Sequence, residues 1–402
     1  MLDRHQRRRL RWMSVPLAVL GGLSVLLGGC GSSGGASSAA GSRGSASIDL
    51  APFEQALQTD YRGLFTAPPT SAPPHKEGVN LWIISCGQAT AGCAGPVASA
   101  KEAAQVLGWK PTVYDGNFGI GDAYNTGIRE AIADHAQAII VIGVDCDDAK
   151  SGFQAAKAAG IIVVGDNSFD CNDPLINDGP ALFSATVKYT PQFPTAAANQ
   201  YEIGVAKADW IIVHTKGQAL VVNTDFEGLT AGQYINEGFD HEMAKCTTCK
   251  ILKTVDETSE ALADGTLKQE WASALAQYPQ ANAGEELSDS TIDEAGFAQA
   301  IQSDGRTKTF ALVGTEGFAQ NVALIANQDC EDAETPDGWN WLAWGAVDTT
   351  LRLLDHRPAV FEGPGVQVVD ATHNLPPAGQ AYAPPVNYVA LYEKAWGVSP
   401  GQ

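Results

Sequence analysis

The sequence has 402 residues and a formal net charge of −21 at pH 7, from 46 acidic and 25 basic side chains. So acidic a surface repels phosphate backbones and argues against a nucleic-acid partner. A chain of this length exceeds what one hydrophobic core usually organises, so two lobes are expected.

The N-terminal segment has the pattern of an export signal. Five arginines precede an apolar run from Val15 to Leu27, which is too short for a stable membrane span. The run leads to a Leu-Gly-Gly-Cys sequence that ends at Cys30 and resembles a bacterial lipobox, in which the cysteine thiol accepts a diacylglycerol. An ordinary signal peptide with a chance cysteine is the alternative. The Gly-, Ser- and Ala-rich segment 31–47 favours the lipobox, because it is typical of a flexible tether.

We therefore predict a lipoprotein signal peptide at 1–29 and an extracytoplasmic chain held to the membrane only through a lipid on Cys30. Residues 30–77 are expected to form a tether that contains a short amphipathic helix at 52–65 and a Pro-rich spacer. The general and twin-arginine export routes both stay open, since the arginine run is a weak signal for the latter.

From Val79 onward, apolar strand-like runs alternate with helix-like stretches. Continuous apolar runs of this kind predict parallel strands that are covered on both faces. The alternation of strand-like and helix-like stretches begins again after Pro194, which predicts two doubly wound α/β lobes in tandem. Strands are expected at 79–85, 111–114, 138–144 and 161–164 in the first lobe, and at 219–223, 250–255 and 309–313 in the second.

Lobe 1 is expected to contain residues 78–190 and about 317–358, and lobe 2 residues 191–316 and about 365–402. A three-segment hinge is predicted near 184–194, 314–317 and 360–365. Ligands of such sheets bind beyond the carboxyl ends of the strands. Two lobes with facing loops therefore predict a cleft.

The cysteines are expected mostly to pair, because exported chains enter an oxidising compartment. For the Cys-Thr-Thr-Cys sequence at 246–249, a structural disulfide is preferred over a redox motif, since no thioredoxin-like pattern surrounds it. Scattered histidines and the lack of a second Cys-x-x-Cys pair argue against a zinc site. We predict the disulfides Cys86–Cys93, Cys146–Cys171 and Cys246–Cys249, which leave Cys330 over.

An ordered series of segments resembles one known family. The matching segments are 84–88, 108–110, 126–132, 139–145, 160–167, 238–239, 310–317, 341–355 and 388–398. On these segments, the chain from about residue 61 to 397 is similar to type I periplasmic solute-binding proteins of the sugar-binding branch, which serve ABC importers. The resemblance implies a monomer that binds a small polar solute, such as a sugar or a polyol, works with an ABC permease and carries no cofactor.

The family's ligand positions, carried over one by one, fall in both lobes. Asp166 and Asn167 stand where the family presents a sugar-binding Asp with a neighbouring Arg or Asn, and Glu316 replaces the Asp of a Gly-Phe-Asp-Gly motif. Carboxylates and amides bind solute hydroxyls, and aromatic faces cover C–H surfaces. The other candidate ligand-binding residues are Gln88, Asp115, Asn117, Phe118 and Asp145 in lobe 1, and Asp225, Phe226 and Asp289 in lobe 2.

Each candidate also has a structural alternative. Asp at a strand end commonly caps a helix or holds a turn, and for Asp115 and Asp145 both roles stay open. The family position favours ligand contact for Asp166 and Glu316. Phe118 and Phe226 are alternatively lobe core. The family's Arg before its Gly-Phe pair is replaced by Ile235, and the first-loop platforms are missing. Both differences weaken the case for a plain aldopentose or hexose and leave room for a polyol, a modified sugar or a less polar compound.

Enzyme motifs were not found. His241-Glu242 lacks the second histidine of a zinc-protease helix, and no Gly-x-Ser-x-Gly elbow occurs. We therefore expect a non-enzymatic receptor that delivers its solute to a permease. The lobes are expected to close when the solute binds, so that the permease can distinguish the loaded receptor from the empty one. A subunit that presents a signal molecule to a membrane receptor is the alternative, since a lipid and a tether suit either role.

Overall fold

The computed structural model describes residues 48–398, except 75, 227, 259–260, 262–264, 294 and 337. The predicted signal peptide, the lipid site at Cys30 and the tether up to residue 47 lie outside the described residues. Within the described part, no helix combines the length and the apolar character that a bilayer crossing requires.

The first sheet has five strands, all parallel, in the order β2-β1-β3-β4-β5. Its register sets Ser85 beside Asp115 and Ile142 beside Asp166, so the strands end at a common edge that carries polar residues. The strands are β1 (Asn80–Ser85), β2 (Lys110–Asp115), β3 (Ala138–Ile142), β4 (Ile162–Asp166) and β5 (Ala185–Thr186).

The second sheet has six strands in the order β11-β10-β9-β8-β6-β7, parallel except where β11 runs against β10. Glutamates end three of its strands: Glu257 on β7, Glu285 on β8 and Glu334 on β10. The strands are β6 (Leu220–Phe226), β7 (Lys250–Glu257), β8 (Ala283–Glu285), β9 (Ala311–Gly314), β10 (Ala333–Glu334) and β11 (Val369–Asp370).

Helices cover both faces of each sheet, as parallel strands require. Buried apolar clusters lie on both sides of the first sheet and on both sides of the second. This confirms the predicted fold of two doubly wound lobes. The helices are α1 (Ala51–Arg62), α2 (Ala91–Val106), α3 (Ala123–Ala133), α4 (Lys150–Ala158), α5 (Ala196–His214), α6 (Thr230–Met243), α7 (Leu267–Gln277), α8 (Asp289–Asp293), α9 (Phe297–Ser303), α10 (Ala319–Asn327), α11 (Trp339–Leu354) and α12 (Tyr388–Trp396).

Helix α1 is part of the folded body rather than of the tether in which its segment was expected. Its apolar side chains Phe53, Leu57 and Tyr61 are buried in the same cluster as Ile203 of α5. The Tyr61 hydroxyl also donates to the Asp370 carboxylate of β11. An amphipathic helix gains stability by burying its apolar face, and here the second lobe supplies the partner surface.

The lobe boundaries differ from the prediction at two places. Residues 317–334 stay with the second lobe, because β10 pairs with β9, and the chain returns to the first lobe only at α11. Helix α12, expected in lobe 2, packs on α11 instead: Trp396 stacks on Trp344 with ring centroids 5.4 Å apart. Its indole N–H also donates to Asp348 Oδ1 at 2.7 Å. Stacked aromatic rings with a paired N–H account for this placement.

Extended segments cross between the lobes and pair with one another. Gly363 N–H donates to Tyr189 O at 2.8 Å, and Thr66 N–H donates to Gly363 O at 3.0 Å. The segment after α1 thus joins the predicted crossings near 184–194 and 360–365. A Cβ at Gly363 would lie 2.3 Å from Thr66 O, so glycine is required there. The third expected crossing, 314–317, lies inside the second lobe.

The three predicted disulfides form. Their Cα atoms are 5.7 Å apart at Cys86–Cys93, 5.0 Å at Cys146–Cys171 and 5.3 Å at Cys246–Cys249. Cys330 is buried with a free thiol, and burial raises its pKa to about 11. Cys86, Cys146 and Cys171 lie in loops after β1, β3 and β4, at the edge where the strands of the first sheet end, and Cys93 lies in the first turn of α2.

Candidate functional site

The loops at the strand ends of the two lobes touch each other. The Tyr234 hydroxyl on α6 donates to Asp173 Oδ1 in the loop after β4 at 2.7 Å. The Tyr234 ring also stacks on Phe169, with ring centroids 5.4 Å apart and planes inclined by 29°. The structure therefore has the lobes closed on each other along this side of the cleft.

Asp145 lies at this junction. Its Oδ1 accepts from Phe169 N–H at 2.9 Å, and Thr230 at the start of α6 also hydrogen-bonds the carboxylate. Burial raises the pKa of Asp145 to about 6, and the hydrogen bonds from Thr230 and Phe169 oppose that rise. Asp145 does not cap α4, whose N-cap residue is Ala149. Its role is to connect the lobes.

Asp166 ends β4 and Asn167 follows it directly; both are buried, with 1% and 5% of their surfaces exposed. The Asn167 side-chain oxygen accepts from Gln200 Nε2 on α5 at 3.1 Å, which gives a second contact between the lobes. Residues 167–184 contain turns and no helix, so Asp166 has no helix to cap. The capping alternative therefore does not apply to Asp166.

The first-lobe loops that hold Gln88, Asp115, Asn117 and Phe118 are joined by backbone contacts. Asp115 Oδ1 accepts from the N–H groups of Gln88 and Asn117 at 3.0 and 2.9 Å, so this carboxylate holds the turn. Phe118 has a left-handed φ of 52° and is 46% exposed, with its ring lying against Gly87. Phe118 is thus a surface ring of the cleft loops and not lobe core.

In the second lobe, Glu316 lies on the loop after β9. Its Oε2 accepts from Asp289 N–H at 2.9 Å and from Ser288 Oγ at 3.1 Å. The other oxygen approaches the first lobe, since a Cβ on Gly92 of α2 would lie 2.4 Å from Glu316 Oε1. Glu316 therefore makes a third approach between the lobes.

Asp289 supports this loop from beneath. Its Oδ1 accepts from the N–H groups of Thr315 and Glu316 at 3.0 and 3.1 Å, and its Oδ2 from Phe318 N–H at 3.0 Å. The carboxylate is fully buried. The structure places Asp289 as a backbone anchor of the loop that presents Glu316.

Asp225 and Phe226 are half-buried at the end of β6. Asp225 Oδ1 accepts from Asn236 Nδ2 on α6 at 3.2 Å. The neighbouring Ile235, which replaces the family's Arg, is buried in the apolar cluster of this lobe. The second lobe therefore presents carboxylates and no arginine at this position.

Several polar residues of the lobe junction were missed from the sequence. Thr230, Tyr234 and Gln200 lie on helices, where a single polar residue gives no signal of what it faces. Lys207 did carry a signal, because it is a cation within an apolar stretch of α5, with Asp209 two residues further on. Its Nζ lies 2.9 Å from Glu285 Oε2, and both side chains are buried.

Residues 89–358 match the family described as periplasmic binding protein domain. Among the curated proteins, none matches the chain significantly. Solved structures share the fold at low sequence identity.

Three of these structures show the extent of the likeness. An arabinose ABC transporter binding protein from Shewanella sp. ANA-3, bound to α- and β-L-arabinofuranose, is 19% identical over 78% of this chain and 95% of its own, with a TM-score of 0.60. A solute-binding protein from Actinobacillus succinogenes 130z with bound D-allose is 16% identical over 74% and 98%, with a TM-score of 0.61. One from Mycobacterium smegmatis with bound glycerol is 16% identical over 76% and 100%, also at 0.61.

The family match spans more than half of the chain and begins and ends within the two lobes described above. It agrees with the resemblance seen in the sequence, with the two parallel sheets and with the cleft at their carboxyl edges. The chain belongs to the periplasmic binding protein family.

Proposed function

We propose that this protein is the extracytoplasmic receptor of an ABC importer, which binds a small polyhydroxylated solute between its lobes and delivers it to the permease. The observation that carries the proposal is that polar residues at strand ends of one lobe meet the other lobe at three places. These are Asp145 with Thr230, Asn167 with Gln200, and Glu316 with α2. A solute held among them gains contacts only when the lobes close.

The proposed solute class is a sugar or a polyol. Carboxylates such as those of Asp166 and Glu316 accept hydrogen bonds from hydroxyl groups, and an amide such as that of Asn167 both donates and accepts. The neighbouring structures hold a furanose, an allose and glycerol, which share this chemistry. Because Ile235 stands where the family has an arginine, a neutral ligand is favoured over an acidic one. No bond is made or broken in this proposal.

Calorimetric titration of the full chain in detergent tests the solute class. The panel contains L-arabinose, D-allose and glycerol, with amino acids and small aromatic compounds as non-sugar comparisons. We expect one sugar or polyol to bind and to raise the melting temperature by mass action. Saturable binding of an amino acid, with no response to any sugar or polyol, contradicts the proposed solute class.

The membrane attachment is a separate part of the proposal. A diacylglycerol on Cys30 is proposed to hold the receptor near its permease, and segment 31–47 to act as the flexible tether. Expression of Cys30→Ala in a bacterial host, followed by membrane fractionation, tests this. We expect the variant to leave the membrane fraction and to remain an unlipidated precursor. Full retention of the variant on membranes contradicts the lipid anchor.

A further inference from the structure

Three buried carboxylates converge beneath the loop that carries Glu316. They belong to Asp289 at the start of α8, Glu331 just before β10 and Glu334 on β10. One oxygen of each lies within 4.8 Å of the corresponding oxygens of the other two, and none of the three side chains is exposed. This group is called the acidic triad below.

The hydrogen bonds of the acidic triad are incomplete. Asp289 is satisfied by backbone N–H groups, and Glu331 Oε2 accepts from Asn321 Nδ2 at 2.9 Å. Glu331 Oε1 and both carboxylate oxygens of Glu334 have no hydrogen-bond partner among the described residues. Within the same part of the chain, no lysine, arginine or histidine nitrogen comes within 4.0 Å of the triad.

Another buried acidic group in this lobe is compensated, because Glu285 Oε2 has the Lys207 ammonium at 2.9 Å. In the triad, burial and the repulsion between Asp289, Glu331 and Glu334 raise the pKa values of both glutamates well above their ordinary range. A buried charge without a partner is costly, so such groups usually pair, take up protons or coordinate a metal.

The backbone around the triad leaves room for these oxygens. A Cβ at Gly314 would lie 2.2 Å from Glu331 Oε1 and 2.8 Å from Asp289 Oδ1. A Cβ at Gly317 would lie 3.1 Å from Glu334 Oε2. Glycine at both positions therefore allows the carboxylates to converge beneath the loop.

We propose that Asp289, Glu331 and Glu334 bind a calcium ion. An all-oxygen donor set selects a hard cation, and calcium takes such ligands at about 2.3–2.6 Å. The three carboxylates are buried and their oxygens already lie within 4.8 Å of one another, so the protein alone can hold an ion that has shed its water. Magnesium gives up its water reluctantly and usually keeps several water ligands, which a fully buried donor set does not favour. The ion offsets two of the three carboxylate charges and ties β10 to the loop that Asp289 anchors.

Calorimetric titration of the EDTA-stripped full chain with CaCl2 in detergent tests the site. We expect one calcium per chain and a rise of about 3 °C in melting temperature at a hundredfold excess over Kd. Proton release is expected when the titration is repeated in buffers of different ionisation enthalpy, because bound carboxylates must be deprotonated. Glu331→Gln and Glu334→Gln should each lose both responses, while Glu270→Gln, a change on the exposed surface of α7, should keep them.

The same experiment separates a metal site from a buried acid cluster that is merely protonated. In EDTA, Glu334→Gln is expected to be at least as stable as the wild type, since the amide removes an uncompensated charge. Failure of the wild type to bind calcium overturns the proposal, even if a variant does not fold. Unchanged binding by both triad variants overturns it too, and magnesium binding of equal strength overturns the assignment to calcium.

Discussion

Gly92 and Glu316 meet across the cleft: a Cβ on residue 92 would lie 2.4 Å from Glu316 Oε1. Gly92 lies near the start of α2 in the first lobe, and Glu316 lies on the loop after β9 in the second. The carboxylate is held on its other side by Ser288 Oγ and Asp289 N–H. A side chain at residue 92 would therefore displace the Glu316 carboxylate in the closed form.

Gly92→Ala is expected to weaken solute binding by about threefold to tenfold, which is about 0.6–1.4 kcal/mol. The added methyl group pushes the Glu316 carboxylate from its place in the closed form and leaves the open form unaffected. Calorimetric titration with the solute measures the change.

Gly95→Ala is the matched control for this change. It lies on the same helix, but its Cβ would meet only Asn340 Oδ1 at 3.7 Å, an ordinary contact. Both substitutions gain the same helix propensity. Equal affinities for the two variants contradict the closure mechanism.

Asp166→Ala is expected to lower solute affinity by about tenfold to a hundredfold, the effect of losing hydrogen bonds of about 1.5–3 kcal/mol to a charged group. Glu316→Ala should weaken binding comparably, because closure needs contacts from both lobes. Glu102→Ala, on the exposed surface of α2, should leave affinity unchanged. Unchanged affinity in both cleft variants would place the solute elsewhere. It would contradict the assignment of the family's ligand positions to Asp166 and Glu316, though not the fold.

The interface of α1 and α5 should make stability fall as the pH rises. Burial, then repulsion from Glu242 and Asp60, raises the pKa of Asp209 to about 8, while the pKa values of Asp60 and Glu202 rise to about 7. Lys245 opposes the rise for Asp209 and Glu202 without cancelling it. Each folded-state pKa exceeds its unfolded value, so the folded chain binds more protons and loses stability as the pH rises through about 7 to 8.

Asp209→Asn tests this pH dependence. We expect the wild type to have a lower free energy of unfolding at pH 8.5 than at pH 6, and the variant to recover about 1–3 kcal/mol of the loss. Urea unfolding at both pH values measures it, with the exposed Asp256→Asn as the control. A wild type that is equally stable at the two pH values shows that these carboxyls do not titrate in the fold.

Thiol chemistry should report one free cysteine within the folded part. Cys330 is buried, and burial raises its pKa, so the native protein is expected to react slowly with a maleimide. Denatured, non-reduced protein should react once if Cys30 carries its lipid. Three or more reactive thiols under these conditions contradict the disulfide scheme.

The sequence by itself determined the two α/β lobes, because long apolar runs that alternate with helical periodicity fit only parallel sheets covered on both faces. It also determined the disulfide pairs, since strand ends after β3 and β4 bring Cys146 and Cys171 together. Asp166 and Glu316 were predicted as ligand-binding residues because they match ligand positions of the family that the sequence resembles.

Only the tertiary structure decided which acidic side chains lie next to one another. Glu331 and Glu334 lie in a local stretch rich in acidic residues, a composition that is typical of a solvated loop. Only the pairing of β10 with β9 buries them against Asp289. Helix α1 was likewise amphipathic in sequence, but its partner, α5, lies about 140 residues further along the chain. Local patterns specify which face of an element is apolar, whereas long-range pairing decides what that face meets.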